Sequence, residues 1–301
     1  MWEEDEKSDG NGMECSVRIM SEKSLDQYLD KFGSVPIPPY FQRESEASDK
    51  ESYNNVYAAS NGSVAAPTAG LHFTSQVLSD IGSEHCSYLT LHVGAGTFKP
   101  VLKENATDHD MHAESFCVSV EVLKRIVAVL EENKPLIVVG TTSCRTLESL
   151  YWCGVKLIQN AGDKNDFDLE LAQFEWKSLL SLQQQQQQQQ KQNGGGETIS
   201  NVQAFQALVE HAGESGGYIR GSTCLMITPE TYEFRIVNHL VTNFHAPDST
   251  LMLLVAAFVN GGAKIRSVYE QAQDKGYRFL SYGDVCLFSR PGCSLPVDDE
   301  T

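Results

Sequence analysis

Residues 238–260 read NHLVTNFHAPDSTLMLLVAAFVN, and this stretch decides how the chain folds. A β-like run from Arg235 to Val241 delivers a polar cluster, Thr242-Asn243-Phe244-His245, and a turn at Ala246-Pro247. A helix capped by Asp248-Ser249-Thr250 follows at once, apolar on nearly every side and therefore destined for burial. A buried helix whose first turn opens beside Asn and His aims free backbone N–H groups into a polar pocket. Strand, polar loop and buried helix in succession predict an α/β fold, with a binding site at the carboxyl end of the strand.

The flanking sequence repeats that rhythm. Leu89, Leu91 and Val93 alternate as a strand before Gly94-Ala95-Gly96, and Leu123, Ile126, Val127 and Leu130 mark an amphipathic helix. Pro135 to Gly140 is a continuous apolar strand, with a helix after it from Ser143 to Trp152; such pairs argue for parallel pairing with both faces covered. Upstream, Ser24 caps a short helix with Leu25, Tyr28, Leu29 and Phe32 on one side and Gly33 at its end. VPIPPY (35–40) is an extended strap, and 43–52 is a surface loop or short helix. Residues 1–20 read as a disordered acidic leader, 161–217 as a Gln/Gly-rich insertion around eight glutamines (183–190), and 291–301 as a flexible tail. The catalytic α/β domain is then expected over 21–160 and 218–290.

The chain has 301 residues, 41% of them hydrophobic, enough for a real core. Its formal charge of −17 is unfavourable for a phosphate-binding surface. Four segments, 1–9, 44–51, 163–175 and 298–300, carry −14 of that charge, which leaves the remainder near neutral. The 8 cysteines include no CxxC pair, so reduced thiols in a cytoplasmic protein are expected rather than disulfides or a zinc site. No apolar run has membrane-spanning length, so no membrane partner is expected.

Six stretches carry a resemblance: GSVAAPTAGLHF (62–73), LTLHVGAGTFKPV (89–101), DHDMHAE (108–114), VGTTSCRTLES (139–149), TNFHAPDST (242–250) and YRFLSYGDVCLF (277–288). In this order they resemble the S-adenosylmethionine:tRNA ribosyltransferase-isomerases of queuosine biosynthesis. The resemblance implies an irregular α/β barrel-like domain, here incomplete at the N-terminus, because the family's N-terminal portion with its NNTR-like motif is not recognisable. It also implies transfer and isomerisation of the ribosyl moiety of S-adenosylmethionine to 7-aminomethyl-7-deazaguanine at the tRNA wobble position, forming epoxyqueuosine. The alternative is an inactive or truncated homologue that only binds nucleoside or tRNA. The partners implied are S-adenosylmethionine as co-substrate and the tRNA anticodon loop, with a monomeric protein and no metal.

Such a reaction needs a base for a C–H acidified by the sulfonium and an acid for departing adenine. It also needs holders for the ribose and the amino-acid end, and a pocket for an extruded base. Histidine is best suited to proton transfer near neutrality, which singles out His72, His112 and His245 inside the matched motifs. A lone histidine is more often a structural hydrogen-bonder, and that reading stands beside the catalytic one. Glu114 is a candidate to hold ribose hydroxyls or balance the sulfonium; Asp284 is a candidate acid or a turn former. Thr68, Gly94, Gly96 and Thr97 lie in loops able to enclose the adenosine. Thr141 and Thr142 open a helix whose N–H groups suit an anion, with Arg145 able to grip it. Asn243, Ser249 and Tyr282 complete the substrate-binding set.

Overall fold

The computed structural model describes residues 4–6, 15–17, 24–94, 105–159, 168–191 and 198–295. It divides into two compact units, Met1–Glu51 and Ser52–Thr301.

In the first unit, β1 (Glu4–Glu6) and β2 (Cys15–Val17) pair antiparallel with Asp5 opposite Ser16. Within the expected disordered leader, then, these six residues form a ladder: pairing is made by main-chain groups, which an acidic side-chain run does not remove. Helix α1 (Leu25–Phe32) begins at Ser24, whose Oγ accepts from Gln27 N, and ends at Gly33. Its apolar side is exposed at Tyr28, Leu29 and Phe32, the last 61% exposed. Asp49, at the start of the single turn α2 (Asp49–Ser52), is buried and held by both terminal nitrogens of Arg43 at 2.7 and 2.8 Å.

The second unit carries the candidate site. Its elements in order are α3 (Ser75–Ile81), β3 (Thr90–His92), β4 (Glu114–Ser119), α4 (Val120–Glu131), β5 (Ile137–Val139) and α5 (Thr141–Gln159). Then come β6 (Asp168–Leu171), α6 (Glu175–Lys191), α7 (Asn201–Glu214), β7 (Tyr218–Thr223), β8 (His239–Asn243), α8 (Thr250–Phe258), α9 (Gly262–Asp274) and β9 (Val285–Ser289). One sheet has the order β3-β4-β7-β6, with β6 and β7 parallel and the other pairs antiparallel. The other has the order β5-β8-β9, with β5 and β8 parallel and β9 antiparallel. The chain is α/β as the sequence predicts, and the apolar β5 run pairs parallel as expected.

Burial follows the pleat. Glu114, Phe116 and Val118 of β4 face inward while Ser115 faces out. Strand β8 is buried or half-buried along its whole length, as a central strand covered on both faces must be. Helix α5 runs through the core with Leu147, Leu150, Trp152, Cys153 and Val155 buried. At Gly154 an added Cβ would lie 2.2 Å from the Ala204 carbonyl oxygen, so α5 and α7 meet backbone to backbone.

That contact corrects the expected insertion at 161–217. Strand β6 joins the four-stranded sheet, and Leu171, Trp176, Leu179, Ala204, Phe205, Leu208 and Ala212 belong to the core. The i, i+4, i+8 apolar spacing of Ala204, Leu208 and Ala212 builds the inner face of α7, started by a capping box between Ser200 and Gln203. Low-complexity neighbours hide this periodicity in the sequence. Among the described residues, no single helix is long and apolar enough to cross a membrane.

Candidate functional site

The site is built at the carboxyl edge of the parallel pair β5 and β8. Their register, Val139 opposite Val241, sets Gly140-Thr141-Thr142 beside Thr242-Asn243, and Gly140 N donates to Val241 O at 2.9 Å. Gly140 has φ +89°, a left-handed turn that glycine enters without strain, and it carries the chain directly from β5 into α5. Thr141 is buried at the head of that helix and Thr142 is half-buried.

The turn Thr68–His72 docks on the same edge. Thr68 Oγ1 donates to Asn243 Oδ1 at 2.9 Å, and Asn55 Nδ2 donates to Pro67 O at 3.2 Å. Asn243 Nδ2 and Asn55 Oδ1 are buried and have no protein partner among the described residues. Gly70 leaves room for this packing, because a Cβ would fall 1.9 Å from Tyr57 Oη and 2.7 Å from Asn55 Oδ1. Burial pushes the Tyr57 hydroxyl up to about 12, so it stays a neutral donor.

His245 closes the β8 end. Its Nε2 lies 2.8 Å from Thr242 Oγ1 and its main-chain N–H donates to Tyr269 Oη at 3.0 Å. His245 keeps some exposed surface, yet desolvation of its ring depresses the imidazole to about 4, which keeps it neutral at pH 7. Phe244 stacks among Tyr269, Tyr277 and Phe279, and its carbonyl accepts from Leu280 N at 2.8 Å, so the 277–284 segment is tied to the cluster. Asp284 is held by Arg278, whose guanidinium and main-chain N–H both donate to it and keep its carboxyl below the usual range; His72 adds to the lowering. His72 is exposed, and so is Tyr282, whose hydroxyl lies 3.1 Å from Ser52 Oγ and whose ring meets Tyr53 edge-on.

Other expected residues stand differently. Arg145 is no free anion clamp: it is buried in the second turn of α5 and its Nη1 donates to Glu114 Oε2 at 3.0 Å. Glu114 is correspondingly an internal counter-ion, a consequence of its inward position on β4. Ser249 Oγ donates to Ala246 O and accepts from Met252 N, both within the start of α8. His112 is exposed just before β4. Gly94 follows β3, with Val93 bonded to Ser63 and Val64 on either side. Gly96 and Thr97 lie outside the described residues.

Sequence reasoning missed Tyr57, Tyr269 and Glu148. Glu148, fully buried on α5, accepts from the main-chain N–H of Arg235, Ile236 and Val237 and from Tyr232 Oη, at 2.9–3.1 Å. Burial raises its pKa against the pull of those donors. The anchor fixes where the chain enters β8; an acid flanked by Leu147 and by Ser149-Leu150 was its one sequence signal. Among the described residues, no group of three His, Cys, Asp or Glu side chains is placed to hold a metal ion.

The sequence model described as "Queuosine biosynthesis protein" matches residues 2–288. The chain is 37% identical over 273 residues to the S-adenosylmethionine:tRNA ribosyltransferase-isomerase of Sulfurihydrogenibium sp. (strain YO3AOP1), covering 90% of this chain and 62% of that protein. It is 38% identical over 269 residues to the Legionella pneumophila (strain Lens) protein of the same name, covering 89% and 61%. The chain therefore spans about three fifths of the length of these relatives. Among solved structures, an S-adenosylmethionine tRNA ribosyltransferase from Thermotoga maritima aligns at 25% identity and a TM-score of 0.41, covering 73% of this chain and 50% of that one.

Proposed function

Since the chain belongs to the queuosine biosynthesis protein family, we propose that it moves the ribosyl moiety of S-adenosylmethionine onto 7-aminomethyl-7-deazaguanine at the tRNA wobble position and isomerises it to epoxyqueuosine. The co-substrate's sulfonium acidifies the adjacent C–H, so the protein's part is to accept that proton, hold the nucleoside and admit an extruded base. His245 is the proton acceptor, held neutral by burial at the edge where β5 and β8 end. Thr68, Thr141, Thr142 and Asn243 hold the nucleoside, with Gly94 giving close backbone approach. Among the exposed candidates, His72 serves as the acid for the departing adenine and His112 and Tyr282 are left to the tRNA, while Asp284, ionised beside Arg278, holds the 277–284 turn. Glu114 and Arg145 keep α5 in register with β4, and Ser249 sets the first turn of α8. The protein acts as a cytoplasmic monomer on the anticodon loop.

The observation that carries this reading is the 2.9 Å bond between Thr68 and Asn243, which joins two motifs 175 residues apart at the end of the strand that leads into His245. The test is release of adenine from labelled S-adenosylmethionine by the full chain in the presence of precursor tRNA. Adenine release that needs both substrates and vanishes in His245→Gln is expected. Folded wild-type protein that releases none would refute the proposal.

A further inference from the structure

We infer that Tyr269 is a positioning residue for His245 and that the imidazole is presented to substrate through Nδ1. The inference rests on the reading of His245 as the proton acceptor. Of the polar handles on His245, the main-chain N–H is taken by Tyr269 Oη at 3.0 Å and Nε2 by Thr242 Oγ1 at 2.8 Å. Nδ1 has no hydrogen-bond partner among the described residues, so it is the nitrogen left for proton transfer. The bond fixes the ring plane, and Nδ1 accepts a proton in the tautomer whose Nε2–H donates to the Thr242 hydroxyl.

Tyr269 reaches this position from α9, 24 residues on in sequence, and its ring is itself immobilised. It meets Phe244 edge-on at 5.3 Å and Phe279 edge-on at 5.5 Å, and Phe279 lies 5.0 Å from Phe244. The main chain around His245 is pinned at two further points, Phe244 O by Leu280 N and Thr242 O by the Cys286 thiol at 3.1 Å. Three main-chain groups within four residues are thereby held from α9, the 277–284 segment and β9. That supplies the sub-ångström placement a proton-transfer group needs.

The electrostatics agree with this geometry. The titratable groups bordering the pair are the Tyr269 hydroxyl from α9 and the Cys286 thiol from β9, each pushed up to about 12 by burial and so neutral. Asp284, in the neighbouring segment, is bonded to Arg278. Around His245 the one resolved influence is burial, which favours the neutral ring.

The test uses the full chain with nitrogen-labelled histidine. Tyr269→Phe keeps the aromatic stack and removes only Oη. The wild-type His245 imidazole is expected to titrate at about 4. In Tyr269→Phe, freed of its tether and reached by water, it moves toward 6.5. The kcat for adenine release falls roughly tenfold with KM unchanged, as loss of one main-chain hydrogen bond that places the reacting group predicts. In the unmutated protein the His245 amide proton, although outside any helix or strand, is expected to resist exchange with solvent. An unchanged titration and rate in Tyr269→Phe, or rapid exchange of that amide in the wild type, overturns the inference. Wild-type turnover in His245→Gln would instead overturn the reading of the site, and the titration decides the role of Tyr269 even in a preparation that releases no adenine.

Discussion

Replacing Glu114 tests whether Arg145 serves the fold or a ligand. The two side chains are 4% and 7% exposed and meet at 3.0 Å. At that separation an effective dielectric of about 20 gives an attraction of roughly 5 kcal/mol, much of it offset by the cost of taking both ions out of water. Glu114→Gln keeps the shape but strands the guanidinium beside a neutral amide inside the core, where removal of one partner costs about 3 to 5 kcal/mol. The amide oxygen still accepts one bond, which favours the lower end, about 3 kcal/mol. With a urea m-value of about 3 kcal/mol per molar, the midpoint drops by about 1 M while m is unchanged. Glu114→Leu combined with Arg145→Met removes both charges, so the double variant is expected at least 2 kcal/mol more stable than the two single losses added together. A Glu114→Gln loss below about 1 kcal/mol, or simple additivity in the double variant, refutes the assignment of Arg145 to the core. An Arg145→Met protein of wild-type stability that had lost only ligand affinity would restore the anion-clamp reading.

Three further outcomes are expected. Phe205→Ala, at a position 0% exposed on α7, costs about 3 to 5 kcal/mol in chemical denaturation, whereas a residue of a dispensable insertion would cost under about 0.5. Gly70→Ala drives a methyl group against Tyr57 Oη and is expected to cost about 1 to 3 kcal/mol; Tyr57→Phe in the same chain recovers part of the loss, and no recovery would contradict the crowding. His245 is depressed on folding from 6.5 to about 4, so its contribution is present above pH 6.5 and is lost as pH falls through 4; it amounts to about 3 kcal/mol. Wild type is thus expected to lose that much more stability than His245→Gln between pH 6.5 and pH 4, and parallel pH profiles would contradict burial of the ring.

Much of the fold was legible where one physical signal dominated. The Ser24-to-Gly33 helix has its cap, period and stop in ten residues, and the structure has those boundaries. The apolar β5 run announced a parallel strand, though not the exposure of Ile137 (50%) on this sheet edge, and Ser249 announced the start of α8. Sequence failed where pairing partners come from afar. The charges of Glu114 and Arg145 satisfy each other across 31 residues, which no local pattern encodes. Tyr269 reads as one more apolar position of an amphipathic helix, and only the fold brings its hydroxyl to His245. Helix α7 had the right period but stood beside homopolymer sequence, and composition outweighed periodicity in the expectation.

The glutamine tract starts inside the fold and passes to the surface at its second residue. Gln183 is 3% exposed on α6, while Gln184, Gln185 and Gln186 face solvent. Because the residues are identical, an insertion anywhere in the tract is equivalent to one at its outer tip. Each glutamine added to the helical tract would lengthen it by about 1.5 Å and leave Gln183 at its buried position.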